Sequence, residues 1–204
     1  NMIESPDFVD PVHGIPVFSL YGEVRRPTAA MLEHYDVLLV DLQDLGCRIY
    51  TFITTLRYVL ECAAERAQSV WVLDRPNPIG RPVEGWSLRT GWESFVGAGA
   101  MPMRHGLTMG EMARWFVREL RLDVDLRVIG MDEWQPEAAP GYGWPLAARS
   151  WVNPSPNAPN VYMARAYPGT VMLEGTTLSE GRGTTRPLEV WGAPDIDAAK
   201  VLKE

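Results

Sequence analysis

Cysteine and histidine are scarce in this chain of 204 residues, which contains two cysteines and three histidines. Two cysteines supply neither a disulfide framework nor a zinc site, and His13, His34 and His105 show no metal-ligand spacing. We therefore expect no bound metal. A run of about 18 apolar residues, which a membrane span needs, is also missing, and the first residues do not resemble a signal peptide.

Positive charge is limited as well, since the net charge is −7 and no Lys/Arg-rich run occurs. This argues against nucleic acid as a partner. The phosphate-binding pattern G-x-x-x-x-G-K-[ST] and the nucleophile pattern G-x-S-x-G do not occur either. The glycines at 97–102 lack the third glycine of a dinucleotide-binding loop. We therefore expect no nucleotide cofactor.

What the chain contains is an alternation of apolar strand patterns and helical patterns, which predicts an α/β fold with a mostly parallel sheet. With 46% apolar residues, one large domain over residues 1–204 is expected. Strands are predicted at 17–21, 36–42, 69–74, 122–129 and 171–174. Helices are predicted at 27–34, 49–63, 112–120 and 160–165, and a long irregular segment is predicted at 136–160.

Three of the predicted strands end in an acid, namely Asp41, Asp74 and Glu174. In parallel α/β sheets, ligands bind beyond the carboxyl ends of the strands. We therefore expect these carboxylates to lie at one edge of the sheet and to face one cleft.

The loop at 173–187 combines two carboxylates, two guanidiniums, five hydroxyls and three glycines. This mixture suits a polyhydroxylated ligand, because arginine offers a fork of donors and hydroxyls both donate and accept. Thr176, Glu180, Arg182 and Arg186 are its candidate binding residues. A glycine-rich surface turn with incidental ion pairs is the alternative.

Four further motifs carry candidate residues. The segment 40–51 joins a buried strand to a helix, and in it Asp44 and Thr51 are interpreted as helix caps. The segments 74–78 and 151–157 hold amides between prolines, which a structural turn or an extended surface segment also explains. An isolated histidine such as that of 103–108 is more often structural, as a neutral side chain that satisfies backbone groups near the start of a helix. The candidates from the four segments are Asp41, Gln43, Arg48, Tyr50, Asp74, Asn77, His105, Asn153 and Asn157.

Taken in order, these blocks resemble the NamZ-type exo-β-N-acetylmuramidases of bacteria. The matching stretches are 15–22, D-L-Q-D-L-G-C-R-I-Y-T at 41–51, D-R-P-N-P at 74–78, R-H-G-L-T-M-G-E at 104–111, N-P-S-P-N at 153–157, Y-P-G-T at 167–170 and E-G-T-T-L-S-E-G-R-G-T-T-R-P at 174–187. The resemblance implies a Rossmann-like domain with helices on both faces of the sheet. It also implies a secreted or periplasmic glycosidase that releases N-acetylmuramic acid from the non-reducing end of peptidoglycan-derived glycans.

Among the carboxylates of this chain, the candidates for catalysis are Asp41, Glu174 and Glu180. Since glycosidases use two carboxylates, Glu180 and Asp41 are favoured as the second carboxylate or as groups that stabilise the positive charge on the sugar. Substrate contacts are then expected from Gln43, Arg48, Tyr50, Asp74, Asn77, His105, Asn153, Asn157, Glu174, Thr176, Arg182 and Arg186. An arginine among these is expected to bind the lactyl carboxylate of muramic acid. A non-catalytic sugar- or anion-binding module, or an enzyme acting on a phosphate ligand, remains an alternative.

The chain departs from the family at one motif. Family members carry a G-P-E-H-G-type segment upstream of the block at residue 15, and the glutamate of that segment is the family's usual catalytic candidate. Here Val12 precedes His13 and Gly14 where that glutamate would be needed. The chain is therefore expected to be an excerpt of the family protein that binds muramic-acid glycans weakly and does not hydrolyse them by itself.

Overall fold

The computed structural model describes residues 5–137, 144 and 149–203. The chain begins with a small antiparallel pair, β1 (Phe8–Val9) and β2 (Pro16–Val17), followed by a short helix α1 (Ala29–Leu32). The predicted strand at 17–21 is thus shorter and lies earlier than expected. Thr28 caps α1 by accepting a hydrogen bond from the Met31 amide.

The central sheet has three parallel strands, β3 (Val37–Val40), β4 (Ser69–Leu73) and β5 (Asp125–Ile129), in the order β3-β4-β5. Helix α2 (Phe52–Arg66) connects β3 to β4, and helix α3 (Met109–Glu119) lies between β4 and β5. This order confirms the predicted α/β fold with a parallel sheet.

Helices α2 and α3 pack on the same face of the sheet. Val70 and Val72 of β4 point into a core formed with apolar residues of both helices, among them Leu56, Leu60 and Phe116. The alternation of side chains along a strand places the intervening residues on the other face.

That other face is largely open in the described residues. Val37 and Leu39 of β3 are 38% and 56% exposed, and Ile129 of β5 is 46% exposed. Trp71 lies between them on β4 and stacks under the Arg127 guanidinium, 5.0 Å from the ring centre. Burial on one face explains why both helices have a single apolar stripe.

A second core cluster joins the end of the chain to the loop after β3. Helix α4 (Val161–Thr170) continues into a 3-10 helix (Val171–Gly175), and a short helix α5 (Ala198–Val201) follows. Tyr167 and Met163 of α4 pack against Leu45 and Tyr50 in this cluster.

Within the described ranges, no helix has both the length and the apolar character that a membrane crossing requires.

The predicted strand at 171–174 is wrong. Residues Val171–Gly175 form a 3-10 helix that extends α4, so Glu174 does not end a strand of the sheet. The predicted helix at 160–165 is correspondingly too short. Three apolar residues in a row do not distinguish a strand from a helix by periodicity, and here the preceding helix decides the conformation.

Candidate active site

A cleft of about 660 Å³ opens at the carboxyl ends of β3 and β4, which is within the range of roughly 300–1,000 Å³ typical of ligand pockets. Its acidic, basic and polar lining comes from the strand ends and from the segment after Trp144. The described lining residues are Asp41, Leu42, Gln43, Phe52, Leu73, Asp74, Arg75, Trp144, Arg149, Ser150, Val152, Asn153 and Pro154.

Asp41 and Arg75 form a two-point ion pair across the mouth of the cleft. Arg75 donates from Nε to Asp41 Oδ1 over 2.6 Å and from Nη2 to Oδ2 over 3.0 Å. The hydrogen bonds from Arg75 hold the pKa of Asp41 below its ordinary value, and the charge of Arg149 contributes in the same direction. Asp41 is therefore ionised at neutral pH, although its side chain is 50% exposed.

Asp74 faces the same cleft but is also bound to the start of α3. Its Oδ1 accepts hydrogen bonds from the amides of Gly110, over 2.8 Å, and Arg75, over 3.0 Å. Its Oδ2 accepts from the Thr108 hydroxyl over 2.8 Å. Thr108 itself caps α3 in a reciprocal pair with Glu111, as the T-x-x-E pattern predicts. The carboxylate thus joins the end of β4 to the N-terminus of α3, where negative charge is favoured.

One wall of the cleft is fixed by two indoles. Trp144 is buried, contacts the Trp151 ring at 5.0 Å between centroids, and donates its Nε1 hydrogen to the Arg149 carbonyl over 3.3 Å. Trp151 in turn donates to the Ala158 carbonyl over 2.8 Å. These contacts hold the backbone that carries Arg149 and Asn153. Trp151 therefore acts in packing here, with its polar edge satisfied.

A buried pair that the sequence did not predict joins the loop after β3 to the segment before α3. His105 Nε2 lies 3.1 Å from Asp44 Oδ2, and both side chains are almost fully buried. His105 Nδ1 accepts from the Leu107 amide, so Nε2 carries the proton and donates it to Asp44. The Gly46 amide also donates to Asp44, over 2.7 Å. Asp44 therefore stabilises the turn at Gly46 and does not cap α2. His105 has a structural role here, as one of the two interpretations of its motif expected.

Arg48, Tyr50 and Asn77 are also buried and are engaged with the protein itself. Arg48 Nη1 donates to the carbonyls of Trp86 and Met101, over 2.8 and 2.7 Å. Tyr50 donates to the Pro154 carbonyl over 3.1 Å, and burial raises its pKa. Asn77 donates to the Leu107 carbonyl and accepts from the Ile79 amide, over 2.9 and 3.0 Å.

Thr51, which was interpreted as a helix cap, precedes α2 as its N-cap residue but makes no capping hydrogen bond through its side chain. Its hydroxyl lies 2.6 Å from that of Tyr21. Gln43, in contrast, stays at the cleft, with its amide nitrogen bound to the carbonyls of Asp44 and Pro76 over 2.9 and 3.0 Å.

The polar loop at 173–187 forms its own ion-pair cluster. Arg182 lies between Glu174 and Glu180. It donates from Nη2 to Glu174, and its Nε forms an ion pair with Glu180 over 2.8 Å. Arg186 pairs with Glu189 over 3.1 Å. These residues are absent from the described lining of the cleft. The Thr176 hydroxyl donates to the Leu173 carbonyl over 2.7 Å.

The structure therefore brings together part of the predicted site. Asp41, Gln43, Asp74 and Asn153 line one cleft. Outside its described lining lie Arg48, Tyr50, Asn77, His105, Asn157, Glu174, Thr176, Glu180, Arg182 and Arg186. The expectation that Asp41 and Glu174 end neighbouring strands is wrong because of the 3-10 helix. The individual roles of these residues in binding or catalysis stay predictions.

Two cleft residues were missed by the sequence reasoning, Arg75 and Arg149. The signal for Arg75 was present, because it directly follows a strand-end acid and precedes a rigid proline in D-R-P-N-P. Arg149 had no comparable local signal. In the described part of the chain, no three His, Cys, Asp or Glu side chains are grouped to hold a metal ion.

This fold and this cleft define an α/β protein with a polar ligand site at the carboxyl edge of a parallel sheet. Comparison with known families makes the assignment narrower. The sequence model of the family described as exo-beta-N-acetylmuramidase NamZ, N-terminal, matches residues 1–162, and that of the C-terminal family matches residues 165–204. The chain belongs to the NamZ family.

Individual relatives agree with this assignment. The chain is 42% identical over 199 residues to the peptidoglycan beta-N-acetylmuramidase NamZ of Bacillus subtilis (strain 168), which covers 97% of this chain and 47% of that protein. Two crystal structures of DUF1343 family proteins from Bacteroides fragilis NCTC 9343 superpose with TM-scores of 0.87 and 0.81, at 37% and 34% identity. The superposed regions cover 95% and 93% of this chain, and 50% and 51% of the two Bacteroides fragilis chains. The chain thus spans about half the length of these relatives.

Proposed function

We propose that the protein is a glycosidase that releases N-acetylmuramic acid from the non-reducing end of peptidoglycan-derived glycans. Membership of the NamZ family carries this proposal, since the B. subtilis relative bears that activity in its name. The cleft at the ends of β3 and β4 is the proposed sugar site, because it offers carboxylate, guanidinium, amide and hydroxyl groups beside apolar walls. A secreted or periplasmic location, where peptidoglycan is found, is part of the same proposal.

In this proposal Asp41 serves as an anionic group, either stabilising the positive charge that develops on the sugar or attacking it. Glycosidases need one ionised carboxylate and one protonated carboxylic acid. Arg75 lowers the pKa of Asp41, so this residue suits the ionised role and not that of the general acid. The Oδ1 and Oδ2 contacts to Arg75 also fix the direction in which the carboxylate points.

The general acid then comes from outside the described lining of the cleft. Asp74 is the other carboxylate among those lining residues, and both of its oxygens accept hydrogen bonds from the start of α3 and its flank. Both oxygens are therefore already engaged in holding the start of α3 to the end of β4. Glu180 remains a candidate, as does a residue from the part of the family protein that this chain does not span.

Turnover of a chromogenic N-acetylmuramide by the full-length protein tests the proposal. We expect Asp41→Asn to lower kcat about 100-fold or more, because the substitution keeps the shape of the side chain and removes its charge. Asp125→Asn is the matched control, since Asp125 begins β5 and lies at the opposite edge of the same sheet. Binding of the sugar without any turnover would favour the alternative of a non-catalytic module.

A comparison of the turnover rates of the 204-residue chain and of the full-length protein shows where the general acid lies. If both turn over the substrate at similar rates, the catalytic carboxylates lie within this chain and Glu180 with Asp41 becomes the leading pair. If only the full-length protein is active, the acid or an essential wall of the cleft comes from the rest of the polypeptide.

A further inference from the structure

The acidic groups of the cleft are already matched by partners within the protein. The Arg75 guanidinium contacts both oxygens of Asp41, at 2.6 and 3.0 Å. Asp74 accepts three hydrogen bonds, from Gly110, Arg75 and Thr108. Arg75 therefore neutralises Asp41, and both oxygens of Asp74 are already engaged in hydrogen bonds to neutral donors.

Arg149 is the second arginine in the described lining of the cleft, and it takes part in none of these hydrogen bonds. Arg149 lines the same cleft and is exposed, and its charge helps to lower the pKa of Asp41. In the part of the chain that the structure describes, no carboxylate lies within ion-pairing distance of it. The Trp144 indole holds its carbonyl, so the side chain projects from a fixed backbone. Ser150 and Asn153 line the cleft close by in sequence and add a hydroxyl and an amide.

We propose that Arg149 is the specificity-determining residue of the cleft and binds a carboxylate carried by the sugar ligand. A guanidinium fork matches a carboxylate with two parallel hydrogen bonds, a geometry that lysine does not reproduce. In the proposed function, on which this inference rests, the carboxylate is the lactyl group of N-acetylmuramic acid. A sugar without that group leaves the fork unpaired.

The arginines that the sequence favoured for this role are engaged elsewhere. Arg182 is held between Glu174 and Glu180, and Arg186 pairs with Glu189. Recruiting either of them to a ligand requires an existing ion pair to break first. Arg149 requires no such step, and it already lies in the cleft.

Isothermal titration calorimetry of the full-length protein tests the assignment with three sugars: N-acetylmuramic acid, its uncharged lactyl methyl ester, and N-acetylglucosamine. We expect the unaltered protein to bind the acid more tightly than the other two. Arg149→Met should weaken binding of the acid roughly tenfold or more, as expected for loss of a charge-assisted contact, and should leave the ester unchanged. Arg149→Lys should restore part of the preference.

Arg118→Met is the control, because it removes the same charge from the exposed last turn of α3, outside the described cleft lining, and it should preserve the preference for the acid. The assignment is overturned if Arg149→Met keeps that preference, if it weakens acid and ester equally, or if the unaltered protein shows no preference. Turnover is scored separately. A protein that binds the acid through Arg149 but releases no N-acetylmuramic acid refutes the proposed function and leaves this inference intact.

Discussion

At the scale of single residues, the charge state of Asp41 follows from its contact with Arg75. The side chains lie 34 positions apart in sequence and meet because parallel strand ends share an edge. We expect Arg75→Met to raise the pKa of Asp41 towards its ordinary value of about 3.9, and carboxyl NMR titration measures this directly. Arg182→Met should leave that pKa unchanged. A pKa of Asp41 that does not move with Arg75→Met would contradict the proposed electrostatics.

The same contact gives a sign for the dependence of stability on pH. Because the pKa of Asp41 is lowered in the folded protein, its ion pair contributes stability above the unfolded pKa of about 3.9. That contribution is lost as the pH falls through the lower folded value. It is small, since the Asp41 side chain is half exposed and solvent screens the pair.

At the scale of elements, the close approach of α3 to the sheet depends on Gly110. A Cβ at this position would overlap Val128 Cγ1 on β5 and lie 2.9 Å from Asp74 Oδ2. We expect Gly110→Ala to destabilise the fold by about 1–3 kcal/mol, because either the helix or the strand must shift. Urea unfolding of the full-length protein, followed by tryptophan fluorescence, measures the loss.

Gly169 in α4 provides the matched comparison. An added Cβ there meets nothing within 4 Å, so Gly169→Ala should be neutral or stabilise by up to about 1 kcal/mol. Equal effects of the two substitutions would show that helix propensity, and not packing against β5, decides the outcome at Gly110.

At the scale of the molecule, the sheet has one face that the described residues leave largely open, whereas parallel sheets are normally buried on both faces. Val37, Leu39 and Ile129 are exposed there, and β3 and β5 each have one strand neighbour in the described sheet. We expect the 204-residue chain, expressed by itself, to self-associate through this surface.

Sedimentation velocity of variants checks this expectation. The double substitution Leu39→Glu and Ile129→Lys should shift the chain towards a monomer. Val12→Glu should not, because Val12 is exposed outside the sheet, between β1 and β2. An unaltered chain that stays monomeric as its concentration rises would rule out the predicted association.

Local pattern determined much of this protein. The runs before Asp41 and Asp74 predicted β3 and β4, the spacing of apolar residues at 49–63 predicted α2, and Thr108 with Glu111 predicted the start of α3. Each of these signals acts between residues a few positions apart, so the sequence alone carries it. The motif order likewise identified the family.

Tertiary structure decided which polar groups meet. Asp44 and His105 lie 61 positions apart and form a buried pair, whereas Arg182 pairs with Glu174 and Glu180 outside the described lining of the cleft. Because Val171–Gly175 form a 3-10 helix, Glu174 does not end a strand of the sheet. Arg149 lines the cleft from a segment whose backbone accepts a hydrogen bond from the Trp144 indole. Such choices depend on which distant segments the folded chain brings within hydrogen-bonding distance, and no local pattern specifies that.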